Sequence, residues 1–328
     1  MTVQWGILST ARINDKFLAG AAQSAELDVL AVASRDGERA SRYAHEHGIE
    51  RAYGGYEQLL ADQDVEAVYI SLPNSLHVEW SRRALAAGKH VLCEKPLSRR
   101  AADVEAIFDL AEREGRLLME AFMYRHNPQT ARLVELVRSG AIGRLRMIRG
   151  AFSFALTDDA NVRLSTGLEG GALMDVGCYC VSAARLLAGE PERVSGHQVT
   201  GGDGVDVLFI GSMRFAGDVL AYFDAGVTLA SRDELEVVGD QATLFLDDPW
   251  HCTDPVIELR RAGSVERIAI TPVNSYRLEA ENLSAAIRGK VQPLLVRTDA
   301  VGQAAAIEAL YEAAGTGRAV ELDPDQTS

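Results

Sequence analysis

Positive charge is in short supply in this chain of 328 residues: 33 Lys and Arg face 47 Asp and Glu, a formal net charge of -14 with a pI near 5.0. An acidic surface repels phosphates, which argues against a nucleic-acid or anionic-membrane partner. Cysteine is also sparse. Cys93, Cys178, Cys180 and Cys252 form neither a disulfide framework nor a metal spacing, because Cys178-Tyr179-Cys180 lacks the two-residue gap of a redox or zinc pair. They read as reduced, apolar fillers. The seven histidines supply no i, i+4 pair beside a carboxylate, so no metal is expected. No run of about 18 apolar residues occurs, and the N-terminus enters a strand pattern at Val3 without a basic region or cleavage site, so a cytoplasmic protein is expected. Aromatic residues are only 6% of the chain. That scarcity favours a substrate site lined by polar side chains.

What the chain does have is alternation. Its length suits two domains, each with its own core. Up to Phe122, apolar runs at Val3 to Leu8, Val29 to Ala33, Ala67 to Leu72, His90 to Cys93 and Leu117 to Ala121 alternate with amphipathic segments. These segments are Ile13 to Gln23, Gly37 to His47, Leu76 to Ala87 and Ala101 to Glu114. Continuous apolar strands separated by helices predict an α/β Rossmann domain, a doubly wound parallel sheet covered on both faces, over residues 1–122. Residues 123–328 follow a different pattern. A helix near Gln129 to Ser139 leads into a long strand from Arg144 to Phe154. A Gly-rich segment, Gly167 to Asp175, opens a helix through Leu187. Seven shorter strands follow between Val194 and Thr271, several alternating polar with apolar residues. This predicts an α+β domain for substrate binding and oligomerisation, with an open, mostly antiparallel sheet. Two helices, Tyr276 to Ile287 and Ala300 to Ala314, close the chain, and the polar end Asp323 to Ser328 is expected to fray.

The ends of the first-domain strands carry the candidate chemistry. Aligning a dinucleotide fingerprint to the first strand puts Ser9, Ala11 and Asn14 where glycines are usual. The small residues that replace glycine still permit a pyrophosphate to approach, Ser9 or Thr10 offers it a hydroxyl, and Ser9, Thr10, Ala11, Arg12 and Ile13 are the candidate contacts of this loop. The second strand ends at Ser34-Arg35. An acidic residue there suits a ribose, whereas an arginine beside a hydroxyl suits a 2'-phosphate, so NADP is expected over NAD, with Arg39 adding charge. Ser71, Leu72, Pro73, Asn74 and His77 form a proline turn at the next strand end, on the ribose and nicotinamide side. Glu94-Lys95-Pro96 then places a lysine where a buried strand runs out into the crevice in which such sheets bind ligands.

Gly6 to Ile13, Ser71 to His77, Glu94-Lys95-Pro96, Glu120 to Arg125 and Gly170 to Tyr179, in this order, resemble the glucose-fructose oxidoreductase and inositol dehydrogenase family, Gfo/Idh/MocA. The resemblance covers almost the whole chain. Tyr179 stands where most members carry histidine, which resembles the tyrosine branch with glucose-fructose oxidoreductase, NADP-dependent D-xylose dehydrogenases and dimeric dihydrodiol dehydrogenases. The substituted glycine loop is the main departure.

The resemblance implies hydride transfer between a nicotinamide and a secondary alcohol or hemiacetal carbon. It gives Tyr179 the proton transfer, Lys95 the charge that brings a phenol of pKa ~10 toward working pH, and Asp175 a substrate hydroxyl or the lysine to orient. Asp175 and Tyr179 are four apart, on one face of the expected helix. Arg163 resembles a position near cofactor and substrate, and the Lys95-Pro96 bond one that is cis. The expectation is an NADP-dependent oxidoreductase acting on a carbohydrate, a homodimer or tetramer through its second sheet. The alternatives are a dihydrodiol dehydrogenase or dicarbonyl reductase, and a non-catalytic NADP sensor. Loops Ser153 to Leu168 and Asp247 to Asp254 set the substrate and carry no readable code.

Overall fold

The computed structural model describes residues 2–158 and 160–323. Of the polar end expected to fray, all but Asp323 lies outside them. The chain forms two compact units. One comprises Met1–Ser98, Ala102–Met123 and Asn274–Ala300; the other comprises Arg99–Ala101, Tyr124–Val273 and Val301–Ser328. This differs from a single cut after Phe122, because a late segment returns to the first unit.

The first part of the chain runs β1 (Val3–Leu8), α1 (Asn14–Ala21), β2 (Leu27–Ala33), α2 (Gly37–His47), β3 (Arg51–Tyr53), α3 (Tyr56–Ala61), β4 (Ala67–Ile70), α4 (His77–Ala86), β5 (His90–Glu94), α5 (Ala101–Arg113) and β6 (Leu118–Ala121). The six strands pair in parallel in the order β3-β2-β1-β4-β5-β6. This is the doubly wound order whose direction reverses between β1 and β4, the place where such sheets bind ligands. β3 and α3, three and six residues long, carry too short a pattern to be read from sequence.

The rest of the chain runs α6 (Pro128–Arg138), β7 (Leu145–Ala155), α7 (Cys178–Ala188), β8 (Pro191–Thr200), β9 (Asp206–Phe215), β10 (Val219–Gly226), β11 (Thr228–Gly239), β12 (Thr243–Leu246), β13 (Val256–Arg261), β14 (Ser264–Ala269), α8 (Ser275–Ile287), α9 (Arg297–Thr316) and β15 (Val320–Glu321). α8 packs against α1 in the first unit. There Gly20 is a necessity of close approach, since a Cβ on it would lie 2.7 Å from the Arg277 backbone nitrogen. Trp5, fully buried in β1, donates its indole N–H to Ser284 of α8 at 3.1 Å, and Phe17 of α1 stacks on Tyr69 of β4.

In the second unit nine strands form one sheet, β14-β13-β12-β11-β7-β10-β9-β8-β15, antiparallel except for the β7–β10 pair. Alternation along β9 and β10 buries Phe209, Met213, Phe215, Ala221 and Phe223, and leaves Ile210, Leu220 and Tyr222 exposed. α7 lies over the buried face. The segment Thr166–Ala188 is long and apolar enough to cross a membrane, but 78% of its apolar window is buried inside the protein, as in a core helix.

Candidate functional site

In the first unit, the chain leaves β1 through Ser9 at φ 133°, a backbone conformation that side-chain-bearing residues rarely adopt. This is a position the fingerprint gives to glycine, and the serine is held there by a buried polar knot. Its hydroxyl accepts from the Ala11 N–H at 3.1 Å and bonds to the Ser71 hydroxyl at 2.8 Å. Ser71 in turn donates to the Asn14 side-chain oxygen at 2.6 Å, and the Asn14 amide donates to the Ser9 carbonyl at 3.0 Å. The expectation that Ser9 offers its hydroxyl to a phosphate is therefore corrected: Ser9 and Ser71 spend their hydroxyls on the loop itself. What the loop does offer is backbone. The N–H groups of Thr10, Arg12 and Ile13, just ahead of α1, have no acceptor among the described residues. A phosphate at a helix N-terminus takes such donors.

Arg39 reaches this loop, donating to the Thr10 carbonyl at 3.4 Å. Arg35 and Arg39 are exposed, and both act on the Tyr56 hydroxyl, whose pKa burial raises and the two cations lower. Ser34 is buried and accepts the Asp36 N–H at 3.4 Å, while Asp36 caps α2 through the Glu38 and Arg39 N–H groups. Two exposed guanidinium groups beside unpaired backbone donors, at the end of a parallel sheet, fit a dinucleotide bearing an additional phosphate.

After β4, Leu72-Pro73-Asn74 turns into α4, with Pro73 and Asn74 half-buried. His77 is not at the surface of this turn. It is 1% exposed, with Nδ1 2.9 Å from the Pro96 carbonyl and Nε2 2.8 Å from the Leu72 carbonyl. The expectation that His77 contacts cofactor is corrected accordingly, since the ring is enclosed between these two carbonyls, to one of which a neutral imidazole, with its single N–H, donates. The strand end that carries Lys95 has two further anchors. The Lys95 N–H donates to Glu94 at 3.3 Å, and the Leu97 N–H donates to the buried Glu120 at 2.7 Å. Pro96 is buried, Lys95 is half-buried and the bond between them is cis. Glu94 also accepts the Tyr69 hydroxyl. Glu279 of α8 is fully buried, and neither carboxyl oxygen has a partner among the described residues. Burial first, then the charge of Glu94, pushes its pKa well above the usual carboxylate range.

In the second unit, Asp175 lies not on the α-helix but in a π-helical turn, Leu173–Gly177, that precedes α7. Sequence pattern cannot distinguish this wider turn from the first turn of α7. It is set up by Gly171, at φ +119°, where a Cβ would lie 2.1 Å from an oxygen of Asp206. Asp206 of β9 is buried, accepts the Leu173 N–H at 2.7 Å and the Tyr311 hydroxyl at 2.8 Å, and is pushed by burial up to about 6. Asp175 itself pairs with Arg163 at 2.6 Å, a link that sequence reading did not make although it singled out both residues.

Tyr179 is 6% exposed and sits among aromatic rings: Phe152 at 5.4 Å, Tyr124 at 5.7 Å and Trp250 at 5.9 Å between centroids. The expectation of a polar lining drawn from 6% aromatics thus fails around Tyr179, because the few aromatics are concentrated there. Trp250 comes from the loop Asp247 to Asp254. It is fully buried and donates its indole N–H to the Ala151 carbonyl at 3.2 Å.

Residues 3–122 match the oxidoreductase family with an NAD-binding Rossmann fold, and residues 130–245 match the GFO/IDH/MocA C-terminal domain. The chain belongs to the GFO/IDH/MocA family. It is an oxidoreductase. Within the family it is 42% identical over 327 residues to D-xylose 1-dehydrogenase (NADP(+)) 2 of Haloferax volcanii, covering 98% of this chain and 100% of that one. It is 33% identical to trans-1,2-dihydrobenzene-1,2-diol dehydrogenase of Macaca fascicularis, over 83% and 82% of the two chains. Among solved structures of the family, KijD10, a 3-ketoreductase from Actinomadura kijaniata in complex with NADP and TDP-benzene, superposes with a TM-score of 0.90 at 29% identity, covering 95% and 98% of the chains. The aldose-aldose oxidoreductase of Caulobacter crescentus gives 0.91 at 27% identity, over 98% and 100%.

Proposed function

We propose that the protein is an NADP-dependent aldose 1-dehydrogenase, oxidising a free pyranose such as D-xylose at C1 or running the reverse reduction. The observation that carries this is the 42% identity to a D-xylose 1-dehydrogenase over the full length, together with the tyrosine at position 179. NADP is the cofactor. Thr10, Arg12 and Ile13 would hold its pyrophosphate through backbone N–H groups, Arg35 and Arg39 its 2'-phosphate, and Leu72 to Asn74 its ribose and nicotinamide side. When bound, it accepts or supplies the hydride.

Tyr179 takes the proton of the C1 hydroxyl during oxidation and returns it during reduction. Its phenol needs a cation to favour the phenolate, a role that the family resemblance gives to Lys95. Asp175, fixed by Arg163, orients a neighbouring hydroxyl. The rings of Phe152, Tyr124 and Trp250 keep water from the phenol. The same rings favour a second reading, a dihydrodiol dehydrogenase, whose substrate is itself a ring. A second copy of the chain covers the exposed face of the nine-stranded sheet, and the reaction takes place in the cytoplasm, where the buried cysteines, in no disulfide among the described residues, stay reduced. The test is turnover with NADP of aldopentoses, aldohexoses and trans-dihydrobenzenediol. Aldose oxidation at the higher kcat/KM supports the proposal; oxidation of the diol alone overturns it.

A further inference from the structure

Beside Tyr179 the second unit holds a histidine–carboxylate pair that has no part in the chemistry described above. His251, in the loop Asp247 to Asp254, places Nδ1 2.6 Å from Asp233 Oδ2, and the other oxygen of Asp233 accepts the Trp250 N–H at 3.3 Å. A carboxylate only accepts, so the ring proton sits on Nδ1 and a neutral ring presents Nε2 as an acceptor. His251 is 43% exposed at its side chain, and Nε2 has no partner among the described residues. The loop is fixed from beneath. Asp248 accepts the Thr253 and Asp254 N–H groups, and the buried Gln129 donates to the Asp248 carbonyl at 2.8 Å. Asp233 stands directly opposite Phe152 in the β7–β11 ladder. The Phe152 ring meets Tyr179 at 5.4 Å and 69°, and meets His251 at 5.4 Å and 82°. Tyr179 and His251 are therefore separated by one phenylalanine ring, their centroids no further apart than twice that distance, a span that a single pyranose with its hydroxyls covers.

We propose that His251, oriented by Asp233, accepts a hydrogen bond from a sugar hydroxyl remote from C1, with Phe152 as the apolar surface between the two contacts. The inference rests on the aldose reading and makes the dyad a specificity determinant, not part of proton transfer. Asp233, Asp248 and His251 also bring three ligand atoms within 4.8 Å of one another, but Asp233 and the Oδ2 of Asp248 are already engaged by protein donors, which favours recognition over a metal.

The experiment measures kcat and KM on D-xylose and its monodeoxy analogues for the parent, His251→Ala, His251→Gln and Asp233→Asn, with NADPH titration and thermal melting as checks on cofactor binding and folding. His251→Ala raises KM for D-xylose about tenfold, with kcat within about threefold, as loss of one substrate hydrogen bond demands. One monodeoxy analogue inflicts the same loss on the parent and no further loss on His251→Ala. His251→Gln, which keeps an acceptor, recovers part of the affinity. Equal KM for parent and His251→Ala overturns the inference while leaving the aldose reading intact. Aldose oxidation abolished by EDTA and restored by zinc also overturns it, in favour of a metal site. No aldose oxidation by the parent overturns both.

Discussion

Asp206 shows how a buried carboxyl fixes the turn of a residue proposed to act on substrate. Its carboxyl receives the Leu173 N–H at the start of the turn that carries Asp175, and burial raises it to about 6 from an ordinary 3.8. A carboxyl whose folded pKa lies above its unfolded one prefers to be protonated in the folded state. Its stabilising contribution is complete below pH 3.8 and is lost as pH rises through 6. The whole effect is on the order of 3 kcal/mol. Asp206→Asn keeps an acceptor for Leu173 without the charge, so its stability should exceed the parent's at pH 8 and approach it at pH 4, read from urea denaturation at both pH values. Ser9 allows a complementary prediction. Ser9→Gly relieves its positive φ and is expected to keep NADPH affinity within about threefold. Ser9→Val adds a β-branched side chain there and removes the polar knot, with a loss of roughly 2–4 kcal/mol in the same denaturation experiment.

At the scale of elements, the parallel sheet was legible because its strands are buried on both faces and read as continuous apolar runs. What escaped reading was short, polar or non-standard: β3 and α3, the π turn before α7, and the outer half of β11. There Ala230 to Asp233 carries no strand pattern of its own, yet Arg232 pairs with Asp224 on the sheet. The candidate site residues, taken unit by unit, divide in the same way. Lys95, Arg35 and Tyr179 announce themselves through strand ends or motif order, whereas Phe152, Trp250 and His251 come together only through tertiary packing and left no local signal. His77 was misjudged for a similar reason, since nothing in sequence shows that both of its ring nitrogens are met by carbonyls. The proposed cofactor preference lies with the β2–α2 connection. Replacing Arg35 and Arg39 together by serine should weaken NADPH binding by roughly 10- to 100-fold while leaving NADH within about threefold, as measured by nucleotide titration.

For the whole molecule, the outer face of the nine-stranded sheet presents Val199, Ile210, Leu220 and Tyr222, each more than 40% exposed. These apolar residues, set diagonally among Ser212, Arg214 and His197 on the same face, are covered in the assembly proposed above. Light scattering should give a dimer or tetramer for the parent and a monomer for Leu220→Glu combined with Tyr222→Glu. The most direct test of the function is where the hydrogen goes. With D-xylose deuterated at C1 and NADP, the aldose 1-dehydrogenase proposal predicts deuterium in the reduced nicotinamide and a slowed kcat/KM, with both reaction and label transfer falling roughly 100-fold or more in Tyr179→Phe. Turnover that leaves the deuterium on the sugar, or a Tyr179→Phe variant as fast as the parent, would contradict it.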